Sequence, residues 1–244
     1  MKNKQRLDVR VKELYPSLSK TEIQSYIMQG KVTIDGQISM KPGTQVDPTS
    51  EVLLIYEAPR YVSRAGYKLE KALDTFAINP EGMIVLDAGL STGGFTDCLL
   101  QRGALKVFGI DVGFGQVHEK IFGDPRVVVM ERTNLRYLDK LPDKIDLATL
   151  DLAFIGLEKV LPAVKKLLKE TGIIIALIKP QFEATRADVG KGGIIKDPEV
   201  HERIVKKVTD DFNKQGFVLE GLIESPLLGT QGNKEFLAYF KLNS

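Results

Sequence analysis

Val85-Leu-Asp-Ala-Gly-Leu-Ser-Thr-Gly-Gly-Phe95 is the stretch that decides the fold. The apolar run over 83–86 reads as a buried strand, the glycines as a tight turn, and the residues from Phe95 towards Gly103 as a helix. Strand, glycine turn and helix in that order open an α/β domain. The turn is not the dinucleotide Gly-x-Gly-x-x-Gly. Nor is it a phosphate-binding loop, because no Gly-Lys-Ser/Thr follows. Asp87, placed before the first glycine, suits a cationic amino group better than a pyrophosphate. Asp111 ends the next apolar run, Lys106–Ile110, where a carboxylate can take both hydroxyls of a ribose. An amino-acid end and a nucleoside end in one crevice point to S-adenosylmethionine. Asp87, Gly89, Ser91, Thr92, Gly93, Gly94, Phe95 and Asp111 are its expected surroundings.

Two further apolar runs are cut off by a charge. Ile145–Leu150 stops at Asp151, and 173–178 stops at Lys179-Pro180. An unpaired buried charge costs several kcal/mol, so a charge ending such a strand has a purpose. In open parallel sheets, ligands sit just beyond the carboxyl ends of the strands. Four strand ends therefore describe one crevice. A fifth run, Val127–Met130, leads into Glu131-Arg-Thr-Asn134, where Thr133 and Asn134 either touch an adenine or simply form the turn. Upstream, Ser63 is expected to cap a helix whose apolar face is Leu69, Ala72, Leu73 and Phe76. Lys68 lies in an early turn of that helix and opposes its dipole, so the fold gains nothing from it there. The last strand is expected over 232–240, with Glu235 at its start.

The first sixty residues are of another kind. Leu7, Val11 and Leu14 share a helical spacing, and Ser19-Lys-Thr-Glu22 is a capping box before the stripe Ile23, Tyr26 and Ile27. Gly30 stands where a C′ glycine belongs. Asp35-Gly36 turns a hairpin between 31–34 and 37–39, a closing strand covers 51–56, and Ala58-Pro59-Arg60 reads as a linker. The net charge of the 244 residues is only +2, yet residues 1–31 hold seven Lys/Arg against three Asp/Glu. Two small helices followed by a glycine-turned hairpin, with basic residues along the helices, resemble the alpha-L RNA-binding module of the ribosomal protein S-four type. The resemblance implies RNA contacts from Arg6, Arg10, Lys12, Lys20 and Lys31. Lys20 departs from the family's usual arginine and loses the bidentate geometry of a guanidinium.

End to end, the chain resembles the TlyA (haemolysin A) ribosomal-RNA 2′-O-methyltransferases, an RNA-binding module fused to an FtsJ-like domain. The segments that carry this are Ser63-Arg64, Gly66 and Lys68-Leu69, then 91–103, Asp111-Val-Gly113, 131–134, 178–183, 189–193 and Gly232-Asn233 with Glu235-Phe236. The resemblance implies a Rossmann-like α/β domain over 60–244, a mostly parallel doubly wound sheet with an antiparallel C-terminal strand. A small α+β RNA-binding domain over 1–59 precedes it. It places a catalytic Lys-Asp-Lys-Glu tetrad on Lys68, Asp151, Lys179 and Glu235, and implies methyl transfer to cytidine ribose in ribosomal particles. The run Asp151-Leu-Ala-Phe-Ile-Gly156 lacks both serines usual in the family, which bears on substrate fit beside Asp151. Whether Lys179 takes the hydroxyl proton or only orients the hydroxyl stays open in the sequence, as does whether Glu235 holds Lys68 or the ribose.

Other chemistries fare worse. The single cysteine, Cys98, excludes an internal disulfide and a cysteine-based zinc cluster, and His118 and His201 are isolated, so no metal is expected. Cys98 lies in the helix after the glycine turn, where packing is the expected role and not nucleophilic attack on a cytosine. No Asn/Asp-Pro-Pro-aromatic loop for adenine methylation is present. The polar N-terminus and the lack of any apolar run of spanning length point to a cytoplasmic protein without membrane contact. They speak against the haemolysin that the family name suggests. A catalytically silent ribosome-assembly protein is the other alternative, opposed by the four retained tetrad residues. The stretch 182–197 reads as a glycine-rich loop facing RNA, with Arg186 and Lys191 joining Arg64 as contacts, before Asp197-Pro198 opens a helix.

Overall fold

A computed structural model describes residues 4–55, 59–185 and 187–243. It divides into two compact units, Met1–Ala58 and Pro59–Ser244. In the first, a short strand β1 (Gln5–Arg6) runs into helix α1 (Leu7–Leu14), followed by α2 (Lys20–Met28). The Ser19 hydroxyl accepts from the Glu22 amide and the Glu22 carboxylate accepts from the Ser19 amide, completing the capping box. Strands β2 (Val32–Ile34) and β3 (Gln37–Ser39) pair antiparallel across Asp35 and Gly36, both at positive φ. Strand β4 (Gln45–Val46) pairs with β1, and β5 (Val52–Leu54) pairs with β2. Leu7, Val11, Ile23, Ile27, Val32 and Val46 fill the core between helices and sheet. Leu14 does not join them. It is 43% exposed at the helix end, so the expected third member of the stripe faces solvent.

The second unit opens with α3 (Ala65–Thr75), β6 (Ile84–Ala88), α4 (Gly94–Gln101) and β7 (Lys106–Ile110). It continues with α5 (Glu119–Phe122), β8 (Val127–Met130), β9 (Ile145–Leu150), α6 (Leu161–Leu167) and β10 (Leu168–Ile178). Last come α7 (Pro180–Glu183), α8 (Pro198–Lys214), β11 (Phe217–Glu224) and β12 (Phe236–Leu242). Seven strands form one sheet in the order β11-β12-β10-β9-β6-β7-β8. The five from β10 to β8 are parallel, and β12 lies antiparallel between β10 and β11. This is the doubly wound, Rossmann-like arrangement with an antiparallel C-terminal strand. The chain steps outward from β6 to β8 and returns to β9 on the other side, which puts the switch point between β6 and β9.

Alternating residues of the strands feed two cores. Ile174, Ala176 and Ile178 pack with α6 and α8 through Val164, Val208 and Phe212, while Ile175 and Leu177 pack with α3 and α4 through Leu69, Leu73 and Leu99. Both faces being covered explains why these strands read as unbroken apolar runs. Ser63 does not cap α3: the N-cap position is Arg64 in helical conformation, with no side-chain hydrogen bond. The Ser63 hydroxyl instead sits against Gly94, where a β-carbon would collide with it. Asp197 does cap α8, accepting from the Glu199 amide at 2.9 Å. No helix among the described residues is long and apolar enough to cross a membrane. Ser19→Ala should remove about 1 kcal/mol from α2. Faster amide exchange across Lys20–Met28, with exchange in the second unit unchanged, is the expected reading.

Candidate active site

The carboxyl ends of β6, β7 and β9 bound a cleft of about 570 Å³, lined among others by Gly89, Ser91, Asp111, Asn134, Phe154 and Lys179. Gly89 sits at φ +91°, and a β-carbon there would collide with the Asp151 carbonyl. The bare backbone lets the end of β9 close on the end of β6, where the Asp151 amide donates to the Ala88 carbonyl at 2.8 Å. Asp111 is braced from both sides. Its Oδ2 accepts from the Ser91 amide at 2.8 Å and its Oδ1 from the Gly113 amide at 2.7 Å. Each oxygen keeps a further acceptor position, the arrangement that suits a vicinal diol. Thr133 and Asn134 also line the cleft; the Asn134 Oδ1 is taken by the Arg136 amide, so this asparagine serves the turn and leaves its amide nitrogen for a ligand.

Two ion pairs stand at the sheet edge beside this cleft. Lys179 Nζ lies 2.6 Å from Asp151 Oδ1, and Lys68 is paired with Glu235. The register Ile178↔Phe236 makes Lys179 and Glu235 the next facing positions on β10 and β12, so each pair has one member on one of two neighbouring strand ends, with Asp151 after β9 and Lys68 on α3 as their partners. Exposure of these side chains is low, 14% and 17% for Lys179 and Asp151 and 12% and 3% for Lys68 and Glu235. At that burial, losing one partner strands a charge, which costs more than the pair returns. Gly229 walls the site from behind, since a β-carbon there would run into the Glu235 carboxylate.

Several expected ligand residues lie elsewhere. Asp87 is fully buried inside β6, its carboxylate accepting from Thr96 Oγ1 at 2.6 Å and Thr149 Oγ1 at 3.0 Å. Burial, helped by the Asp151 charge and opposed by the two threonines, pushes its carboxyl up to about 6. It supports the floor of the cleft and does not line it. Gly93, Gly94 and Phe95 are likewise buried, with Gly93 at φ +93° closing the turn against Ile121. Thr92 is exposed and holds the His118 amide with its carbonyl. Cys98 is buried, and desolvation raises its thiol to about 11, a packed and unreactive group. Among the described residues no group of metal-binding side chains converges.

The basic residues divide in the same way. Arg6 grips Asp8 in a two-point ion pair, Arg10 reaches Glu13, and Lys12 donates to the carbonyls of Pro16 and Leu18, closing the turn between α1 and α2. Lys31 lies over the Tyr26 ring, while the side chains of Lys20 and Arg64 make no hydrogen bond or ion pair among the described residues. Arg186 and the side chain of Lys191 fall outside the described residues. The loop that carries them is fastened: Asn233 donates to the Gly193 carbonyl and accepts from the Ile195 amide, and Ile195 is buried.

Three features escaped the sequence reading. Phe154 is 91% exposed at φ +63°, with its ring 5.0 Å from Phe182. Glu183 is buried and accepts from the Leu157 amide, and Asn233 ties the 193–195 segment to the strand start that bears Glu235. Phe154 was marked only by its position three residues beyond Asp151, and Glu183 and Asn233 only by lying in segments that carry the family resemblance; neither exposure nor partners can be read from spacing.

A parallel sheet with a cleft at its switch point, a braced carboxylate and an ion-paired lysine and aspartate make up a Rossmann-like domain, and its match to a methyltransferase family gives its class. The profile of the FtsJ-like methyltransferases matches residues 61–242, and that of the S4 domain matches residues 5–52. The chain belongs to the FtsJ-like methyltransferases, in the branch that includes TlyA. The 16S/23S rRNA (cytidine-2′-O)-methyltransferase TlyA of Mycobacterium tuberculosis is 40% identical over 244 residues, covering 99% of this chain and 91% of the relative. Hemolysin A of Brachyspira hyodysenteriae is 40% identical over 238 residues, covering 96% and 99%. A solved structure from Streptococcus thermophilus, provisionally named a hemolysin, superposes with a TM-score of 0.77 at 39% identity, covering 100% of this chain and 90% of the other.

The raised carboxyl of Asp87 has a stability consequence. A folded-state value near 6 against an ordinary 3.8 means that stability present at low pH is lost as pH rises through about 6. Asp87→Asn removes that loss. Urea unfolding at acid and neutral pH should show the difference between variant and parent swing by about 2–3 kcal/mol in the variant's favour as pH rises.

Proposed function

We propose that this chain transfers a methyl group from S-adenosylmethionine to the 2′-hydroxyl of a cytidine in ribosomal RNA. Residues 1–59 serve to bind RNA and 60–244 carry the chemistry. The Lys179–Asp151 pair at the mouth of a nucleoside-sized cleft, with Glu235 on the neighbouring strand end and Lys68 of α3 paired to it, is the observation that carries this reading. The M. tuberculosis relative, named for cytidine 2′-O-methylation of ribosomal RNA, supports the substrate class.

The cleft fits the cofactor by its donors. Asp111 would hold the ribose hydroxyls, the backbone at Gly89 and Ser91 the amino-acid part, and the Asn134 amide the base. When bound, S-adenosylmethionine supplies an electrophilic methyl carbon. A ribose hydroxyl is a weak nucleophile, and holding it in line is worth about 7–11 kcal/mol of such a barrier. Lys179 and Asp151 would orient that hydroxyl, and the Asp151 carboxylate, the unprotonated member of the pair, would take its proton as the methyl carbon leaves the sulfonium sulfur, now a neutral thioether, for the oxygen. Glu235 keeps the Lys68 ammonium beside them, so that two cations and two carboxylates balance in a water-poor corner. The exposed Phe154 ring gives the target base a face to stack on, a contact worth about 1–3 kcal/mol. Lys20 and Arg64 are free to meet phosphates.

Lys179→Ala should cut transfer of labelled methyl to ribosomal subunits by about a hundredfold or more, with cofactor binding by calorimetry nearly unchanged. Undiminished transfer with normal binding would remove the lysine from the mechanism. Phe154→Ala should raise the KM for RNA by about tenfold or more and leave the KM for the cofactor alone, a split that steady-state kinetics reads directly.

A further inference from the structure

The segments that follow the catalytic aspartate and lysine are joined by three contacts in succession. Asp151 meets Lys179 at 2.6 Å, the Phe154 ring meets Phe182 at 5.0 Å, and the Leu157 amide donates to Glu183 Oε1 at 2.8 Å. The third contact closes the series. Leu157 begins the single turn Leu157–Lys159 that ends the 151–156 loop, and Glu183 is the last residue of α7, the short helix that starts directly after Lys179.

That closure has work to do. Phe154 holds a left-handed backbone at φ +63°, a conformation unfavourable for a bulky side chain, and its ring is almost wholly in solvent. Nothing in the local sequence stabilises such a residue; the loop must be held at both ends. Asp151 is held by Lys179 and by the Ala88 carbonyl. At the other end the hydrogen bond from Leu157 goes to Glu183, a side chain 3% exposed. Burying a carboxylate there is costly, and the groups facing it give little relief. Lys207 of α8 stays 3.9 Å away, while Glu158 and Asp211 add like charge. A site chosen for stability alone would use an apolar residue. We propose that Glu183 is a positioning residue for methyl transfer: it clamps the far end of the 151–157 loop to α7 and so sets the Phe154 ring and the Asp151–Lys179 spacing. This rests on the reading of the site given above.

The acceptor oxygen, not the charge, is what the clamp requires. Burial, with Glu158 and Asp211 alongside and with the Leu157 amide and Lys207 opposing, pushes the Glu183 carboxyl up to about 7, so a neutral amide is a fair replacement. Glu183→Gln keeps an oxygen for the Leu157 amide, and Glu183→Ala does not.

The test compares the full-length protein with both variants, by methyl transfer to ribosomal subunits, by cofactor calorimetry, and by hydrogen exchange over 151–157. Glu183→Ala should lower kcat by about tenfold or more, leave cofactor affinity within about twofold, and speed exchange in that loop. Glu183→Gln should restore both kcat and protection. An unprotected loop in neither variant, or a glutamine variant as impaired as the alanine one, would overturn the clamp. Exchange is read without turnover, so a protein inert on every RNA tried would sink the proposed reaction while leaving the clamp to be judged on exchange alone.

Discussion

Register at one edge of one sheet is the constraint on which the functional part of this molecule depends. A β-strand lifts successive side chains to alternate faces, and a slip of one residue exchanges them. The parallel match of Ala88 with Leu150 delivers Asp151 next to Gly89, and the antiparallel match of Ile178 with Phe236 delivers Lys179 next to Glu235. Because the alternate residues of these strands are buried in two separate cores, either slip would drive Ile and Leu side chains into the wrong layer. The hydrophobic effect thus fixes the polar geometry.

Carboxylates in this unit fall into two electrostatic classes. Asp87 and Glu183 are buried with hydrogen-bond donors, Glu183 having only the Lys207 ammonium at 3.9 Å as a cation, and both are pushed towards the neutral acid. Asp97 is also buried, yet it collects the Lys120 ammonium, the Gln101 amide and the Val62 amide, and its carboxyl is held below the usual range despite desolvation. That assembly pins the chain entering α3 against α4. The first class sits under and behind the cleft, the second on the supporting face. Charge is tolerated where a cation answers it, as at Asp97 and in the Asp151–Lys179 and Glu235–Lys68 pairs, whereas the carboxylates beneath the cleft are held by hydrogen bonds and pushed towards the neutral acid.

Much of this was legible beforehand, for identifiable reasons. A single charge closing an apolar run is a strong signal, and it located Asp111, Asp151 and Lys179 at strand ends. The capping box at Ser19 and the Asp35-Gly36 turn are local chemistry that needs no partner, and both formed as written. The readings that failed required depth or distance. Asp87 looked terminal, but β6 runs on to Ala88 and pairs Asp87 with Gly109 and Thr149, which keeps it inside the sheet. Ser63 had the right chemistry for a cap and was drawn instead to Gly94. The bonds from Lys12 to the carbonyls of Pro16 and Leu18 likewise depend on a turn that charge alone does not show. Phe154 with Phe182, and Leu157 with Glu183, are separated along the chain and meet only through folding.

The placement of β12 has a bearing on biosynthesis. It is the last in chain order of the described strands, yet it occupies an interior lane of the sheet, flanked by β10 and β11. A polypeptide that stops short of residue 235 leaves β10 as an open, isoleucine-rich border, the kind of surface that invites aggregation. It also leaves Lys68 without its counter-ion. A product cut short there lacks at once the carboxylate that answers Lys68 and the strand that covers β10.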